Sequence, residues 1–148
     1  DGRELVPLNL RDGPGNFHLK PNGVFLVDAS GARIIDAATY GGTHAGIRLA
    51  MQSGPLLVID GRVHPAFAPG STNKRTRSGV GVSSARQVVF ALSEEPVTFH
   101  AFATLFRDRL DCANALYLDG VISRFCVPPT MPTPVSDYAA LLAATRGK

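Results

Sequence analysis

Asp119 closes the apolar run Ala115-Leu116-Tyr117-Leu118 and is followed at once by Gly120, a placement that suggests chemistry before anything else in the chain does. Four apolar residues in succession read as a strand buried on both faces, and a charge at the end of such a strand is costly unless water or a ligand meets it. Gly120 lets the backbone turn sharply and a ligand approach closely, which is a common way to present a reactive group at the carboxyl end of a central strand. An ordinary Asp-Gly turn between two strands is the plainer reading of the same residues. The second candidate is Arg77-Ser78-Gly79-Val80-Gly81-Val82. A guanidinium followed by small residues offers a planar fork of donors beside backbone N–H groups, an arrangement suited to phosphate. A loop arginine that simply faces solvent is its alternative.

Other polar segments are weaker. Asn22-Gly23 reads first as a turn and second as an amide that holds a sugar hydroxyl. Ser53 precedes Gly54-Pro55 and a buried strand, but it lacks the glycine two residues earlier that a nucleophile elbow needs. His18, His44, His64 and His100 are scattered, so a Ser-His-Asp arrangement has no support from spacing. Cys112 and Cys126 stand fourteen apart with no CxxC and no paired histidines, which argues against zinc and leaves two buried free thiols, with a disulfide unsupported.

Composition sets the frame for these residues. A chain of 148 residues with 45% apolar and 18% charged content is enough for one compact domain with a real core, taken here as residues 1–148. No run approaches the roughly 18 to 20 apolar residues of a membrane helix, so no membrane span is expected. No charged-then-apolar leader precedes Asp1, which leaves the compartment open, because a processed chain would have lost one. Fifteen Lys and Arg against twelve Asp and Glu is a small excess, although Asn73-Lys74-Arg75-Thr76-Arg77 gathers three positive charges in five residues. Without interleaved aromatic residues that tract reads as a solvated loop or an anion site, and nucleic acid is not an expected partner.

Dense Gly and Pro punctuation separates segments of four to eight residues with β-branched or aromatic content, so strands should dominate. They are expected near Glu4 to Leu10, Gly23 to Val27, Arg33 to Asp36, Leu56 to Ile59, Val80 to Ser83, Gln87 to Leu92 and Ala115 to Leu118. Asp28-Ala29-Ser30-Gly31 and Asp60-Gly61 read as hairpin turns. One main helix is expected at about 97–110: Pro96 stands at its start, and Phe99, Phe102, Ala103, Phe106 and Leu110 recur at helical intervals as a core face. Tyr138 to Ala144 fits a short helix or a final buried strand, after an extended Pro-rich loop at 128–134.

Four segments together resemble a known family. Gly15-Asn16-Phe17-His18-Leu19-Lys20-Pro21-Asn22-Gly23-Val24-Phe25, Gln52-Ser53-Gly54-Pro55, Arg77-Ser78-Gly79-Val80-Gly81, and Ala115 to Gly120 with Ser123 are similar, in order and spacing, to the phosphodiester glycosidases. Relatives include the uncovering enzyme that removes N-acetylglucosamine from a mannose phosphodiester. The resemblance runs from about Asp1 to Pro128 and implies an α+β domain with a mixed, largely antiparallel sheet and a cleft built from the motif-bearing loops. It implies cleavage of a sugar-phosphate diester at the anomeric carbon. Asn22, Gln52, Ser53, Gly54, Arg77, Gly79, Asp119, Gly120 and Ser123 would line the cleft. Two departures stand out. Relatives begin with a further segment carrying an Asn-Gly-Gly-Met-like or Asn-Ala-Gly-Met-like motif, so the amino-terminal part of the domain is expected to be absent here. Val121 and Ile122 also replace the glycines and serines that many relatives carry after Asp-Gly, so the uncovering enzyme's sugar specificity does not transfer.

A phosphate monoester leaves readily, which shifts the catalytic burden from leaving-group protonation to two other tasks. Asp119 would stabilise positive charge at the anomeric carbon as nucleophile, as base for water, or electrostatically. Arg77 with nearby backbone N–H groups would hold the departing phosphate, while Asn22, Gln52 and Ser53 orient hydroxyls. A second carboxylate would come from the absent segment or from Asp28, Asp36 or Asp60. The partner implied is a carbohydrate phosphodiester, with no cofactor expected, the oligomeric state open, and a periplasmic or extracytoplasmic location. Two competing readings are a non-catalytic glycan-binding module of the same fold and a metal-dependent phosphodiesterase in which Asp119 and other acids hold a divalent cation.

Overall fold

A computed structural model describes residues 6–41, 46–120 and 123–125, together with 142 and 144. Two antiparallel sheets, one α-helix and two short 3-10 turns make up the fold of the described residues. The strands are β1 (Gly23–Asp28), β2 (Gly31–Asp36), β3 (Leu49–Ser53), β4 (Leu56–Ile59), β5 (Arg62–Val63), β6 (Ser78–Ser83), β7 (Val88–Leu92) and β8 (Cys112–Asp119), with the helix α1 (Phe99–Asp108) between the last two. The first sheet has the order β2-β1-β3 and the second β5-β4-β8-β6-β7, so β8 is central and paired on both sides.

Strand periodicity sorts the side chains into three layers. On β1, Val24 and Leu26 face outward into a small cluster with Ala37, while Phe25 meets Leu56, Val80 and Leu116 of the second sheet. That contact packs the two sheets face to face. On the far side of the second sheet, Ala115 and Tyr117 meet Phe102, Ala103 and Phe106 of α1. A ten-residue helix is marginal alone in water, so α1 depends on this burial. Phe106 is fully buried and contributes on the order of 2 to 3 kcal/mol. The helix lies close because β6 presents glycine beneath it: a Cβ at Gly81 would fall 2.6 Å from Cys112 Sγ and 2.8 Å from Phe106 Cδ1.

The α+β reading with one main helix holds, with the strands divided between two sheets where one was expected. The helix starts later than expected because Val97 is spent on an antiparallel bridge to Arg75, its N–H and C=O both engaged. Thr98 caps the first turn instead, its hydroxyl accepting the Ala101 N–H at 3.1 Å. Residues 6–10 of the expected Glu4 to Leu10 strand join no sheet. Strand β3 hid in the half-polar Met51-Gln52-Ser53, which suits an edge strand with little burial. Both hairpins form as read, and Asp60 (φ 46°) with Gly61 (φ 76°) makes the two-residue turn between β4 and β5. Cys112 is a buried free thiol, while Cys126, the Pro-rich segment and nearly all of Tyr138 to Ala144 lie outside the described residues.

His64 links the second sheet to the loop before β1. It is 2% exposed, stacks on Phe67, accepts the Ala66 N–H at Nδ1 (3.1 Å) and thereby has Nε2–H to donate to Lys20 O (3.0 Å). Burial holds the ring neutral and pushes its pKa below the ordinary 6.5. The unfolded chain therefore takes up the proton first as pH falls. The stability tied to His64 is complete above about 6.5 and is lost as pH drops through that value to the lower folded one. Urea unfolding at pH 7.5 and 5 should show a lower midpoint in acid, and His64→Gln, which keeps a donor for Lys20, should flatten the difference. An equal acid loss in the variant would assign the sensitivity elsewhere.

Candidate active site

The end of β8 is held by three side-chain hydroxyls. Ser78 is the register partner of Asp119 across β6, with a bulge between Ser78 and Gly79. The Ser78 hydroxyl accepts the Asp119 N–H and donates to the Asp119 carbonyl, both at 3.1 Å, and lies 2.6 Å from Ser123 Oγ. Thr76 Oγ1 donates to Gly120 O at 2.5 Å, and Ser53 Oγ, arriving from the other sheet, donates to Leu118 O at 3.5 Å. The carboxylate turns back on the chain, where Oδ1 accepts the Gly120 N–H at 2.5 Å. Exposure rises along the strand as it reaches this corner: Ala115 and Leu116 are fully buried, whereas Leu118 and Asp119 are half-buried.

Arg77 lies behind this corner. Its side chain is among the most buried in the protein, at 1% exposed, with Cζ 3.6 Å from the centre of the Phe99 ring. Nε donates to Val97 O at 2.9 Å and Nη2 to Asn73 O at 3.2 Å, while Nη1 has no hydrogen-bond partner among the described residues. No carboxylate among the described residues pairs with it. Burial lowers its pKa from the usual guanidinium value, and the phenol of Tyr117 beside it offsets part of that shift. Tyr117 is pushed up, first by burial and further by the Asp119 charge, against the pull of Arg77. Arg77 and Asp119 are thus related through one ring. The guanidinium is a packed element of the core, where a phosphate-holding fork in the cleft, or else a solvent-facing loop arginine, had been expected.

The remaining motif residues divide between corner and support. Gly23 pairs with Ser53 and Val24 with Gln52, which brings Asn22, Gln52, Ser53 and Gly54 to one end of the first sheet. Asn22 is 6% exposed, donates from Nδ2 to Phe17 O at 2.6 Å, and leaves Oδ1 buried without a partner among the described residues. Gln52 is occupied: its amide accepts the Asn9 N–H and donates to Asn9 O, both at 2.8 Å. It pins residues around Asn9, where a substrate hydroxyl had been expected. A side chain at Gly54 would strike Phe17 O at 2.9 Å and Asn22 Cγ at 3.0 Å. Gly79 faces Phe106 and Leu57 at 3.1 Å, so it serves helix packing and not the cleft assigned to it.

Two hollows border the motif residues. The larger, about 380 Å³, is lined by Asn22, Lys20, Pro21 and Asp36 together with Asn9 and Leu10. The smaller, about 180 Å³, lies against Gly120 and Ser123 and collects Thr76, Ser93, Glu94 and Arg124. Gly120 and Ser123 border the smaller hollow, and Asp119 precedes Gly120 at the end of β8. Thr76 and Ser78 lay inside segments read for Arg77 without being singled out, and Ser93, Glu94 and Arg124 were missed, because each is a common polar residue with no motif of its own. Asp60 is excluded from the site, since its N–H is tied to Asn114 at the opposite end of β8. Asp28 pairs with Arg33 at 2.6 Å at the far end of β1, and only Asp36, opposite Gly23, shares the motif end of its sheet. No three His, Cys, Asp or Glu side chains among the described residues gather in a way that would hold a metal.

Comparison with known proteins adds to this geometry. A family described as phosphodiester glycosidase matches residues 1–131. The uncharacterized protein YigE of Escherichia coli (strain K12) is 37% identical over 123 residues, covering 83% of this chain and 48% of that protein. The chain spans about half the length of the curated relative it matches.

Gly120 supplies a direct test of the corner's packing. An added Cβ would fall on the Tyr117 hydroxyl and 3.1 Å from Thr76 O. Gly120→Ala should displace Tyr117, lower stability by about 1 to 3 kcal/mol and alter the near-ultraviolet tyrosine signal. An unchanged urea midpoint and spectrum would refute the close contact.

Proposed function

This chain belongs to the phosphodiester glycosidase family, and on that premise we propose that it hydrolyses a sugar-phosphate diester at the anomeric carbon. The observation that carries the reading is that β8 ends in Asp119 beside a small hollow bearing one guanidinium, Arg124, and the hydroxyls of Thr76, Ser93 and Ser123. A hollow of about 180 Å³ suits a phosphoryl group with part of a sugar ring. Phosphate leaves as a stable anion, so the protein's main work is to hold that anion and to face the positive charge that develops on the sugar.

In this proposal Asp119 faces the anomeric carbon, its orientation fixed by Gly120 N–H and by the hydroxyls that clamp its strand. Arg124 is exposed, with Nη1 tied to Ser123 O at 2.9 Å, and takes the role first given to Arg77 of meeting the phosphate. Arg77 acts indirectly by fixing Tyr117 and the strand starts around it. The unmatched Oδ1 of Asn22 is suited to a sugar hydroxyl, while Gln52, Gly54 and Gly79 support the site through backbone and packing. An extracytoplasmic location belongs to the same proposal.

Asp119→Asn retains an oxygen for the Gly120 N–H, so folding should be preserved while hydrolysis of methyl glucose 1-phosphate and methyl N-acetylglucosamine 1-phosphate diesters falls at least about 100-fold. In labelled water the wild type should place the label in the released sugar, reporting C–O cleavage. Label in phosphate would sink the glycosidase reading in favour of P–O chemistry, and binding without release would leave a glycan-binding module. Arg124→Ala should lower kcat/KM about tenfold or more with stability changed by less than about 0.5 kcal/mol, and an unaltered kcat/KM would remove it from phosphate contact.

A further inference from the structure

Hydrolysis at an anomeric carbon needs a group to take the proton of the attacking water, and Asp119 facing the sugar leaves that task open. The acids named from sequence do not fill it: Asp60 and Asp28 lie at the wrong strand ends, and Asp36 borders the other hollow while its Oδ1 caps Ala38 N–H at 2.8 Å. Glu94 is different. It borders the same hollow as Gly120, Ser123 and Arg124, and it makes no hydrogen bond or ion pair with the described residues.

Its backbone is nevertheless well placed. The preceding residue, Ser93, is tied to Arg77 in both directions at 2.8 Å, the Arg77 N–H donating to Ser93 Oγ and the Ser93 N–H to Arg77 O. Leu92 is the register partner of Ser78, which is in turn the partner of Asp119. The end of β7 therefore stands two strand spacings from the end of β8, roughly 10 Å between backbones. Glycosidases that leave room for a water between two carboxyl groups hold them about 6.5 to 9.5 Å apart, and those that attack the sugar directly hold them about 5 to 5.5 Å apart. Two strand spacings at Leu92, with the exposed Glu94 two residues further on, leave room for the wider arrangement.

We infer that Glu94 is the second carboxylate of the site, the base that deprotonates a water attacking the anomeric carbon directly, so that the configuration there is inverted. The inference rests on the glycosidase reading above. The water oxygen bonds to the anomeric carbon, the bond to the phosphate oxygen breaks with its electron pair going to phosphate, and the water's proton passes to the Glu94 carboxylate. Sugar and a phosphate monoester leave, and Glu94 returns the proton to solvent.

The test follows methyl glucose 1-phosphate and methyl N-acetylglucosamine 1-phosphate diesters by proton NMR, with wild type, Glu94→Gln and the exposed neighbour Glu95→Gln. The wild type should release sugar initially of the opposite anomeric configuration. Glu94→Gln should lose about 100-fold or more in kcat, with KM within about threefold and the acidic limb of the kcat pH profile gone, while Glu95→Gln matches wild type. Turnover by Glu94→Gln within about threefold of wild type with the same pH profile, or initial release of the retained anomer, would overturn the role of Glu94 while leaving the glycosidase reading intact. No sugar released by the wild type from either diester would overturn that reading and the inference with it.

Discussion

One buried cation among the described residues, Arg77, organises the corner where the motif residues meet. Arg77 reaches Val97 and Asn73 through its side chain, exchanges backbone bonds with Ser93, and rests on the Phe99 ring. These contacts join the loop before β6, the end of β7, the start of α1 and, through Tyr117, the central strand. Taking a charge out of water without a carboxylate to meet it is expensive, and two carbonyls and an aromatic face return only part of that cost. The arrangement persists because apolar surface closes around it: Phe99 and Tyr117 flank the guanidinium and pack into the cluster that holds Leu57 and Phe106, both at 0% exposure. Thr76 and Ser78, the neighbours of this arginine in sequence, both grip the end of β8.

The division into two sheets serves the same corner. Leu56 N–H donates to Pro21 O at 2.9 Å and Tyr117 N–H to Pro55 O at 3.1 Å, so the first strand of one sheet and the central strand of the other are stitched beside the motif residues. Segments separated by thirty or more positions in the chain, around Asn22, Ser53 and Asp119, meet there because β1, β3 and β8 all present the same end. The sequence resemblance located these segments, and the pairing registers explain why they belong together.

Much of this was legible from residue order, for reasons that differ by element. Strands β1, β4 and β8 announce themselves by apolar runs between turn residues, and α1 by phenylalanines at helical spacing. Strand β3 did not, because Gln52 and Ser53 carry too little hydrophobicity to mark an edge strand. The burial of Arg77 was invisible because an arginine within Asn-Lys-Arg-Thr-Arg reads as solvated, and only the distant Phe99 and Tyr117 make it otherwise. Gln52 misled in the opposite sense: an amide beside a serine looks like a ligand contact, yet its bonds go to the backbone of Asn9, forty-three positions away. Glu94 and Arg124 carry no local signal at all, since their meeting is a product of strand order.

Gly81 shows how far from the hollow such dependence extends. Its bare Cα lets Phe106 and Cys112 settle onto β6, and that contact sets the height at which the whole helix rides above the sheet. Phe99, at the other end of the same helix, is the surface on which the buried guanidinium rests. Core volume and the seat of the buried charge are therefore linked through one helix. A methyl group gained beneath the helix would press on Phe106 and Cys112 and so reach, through the helix, the ring that carries the charge.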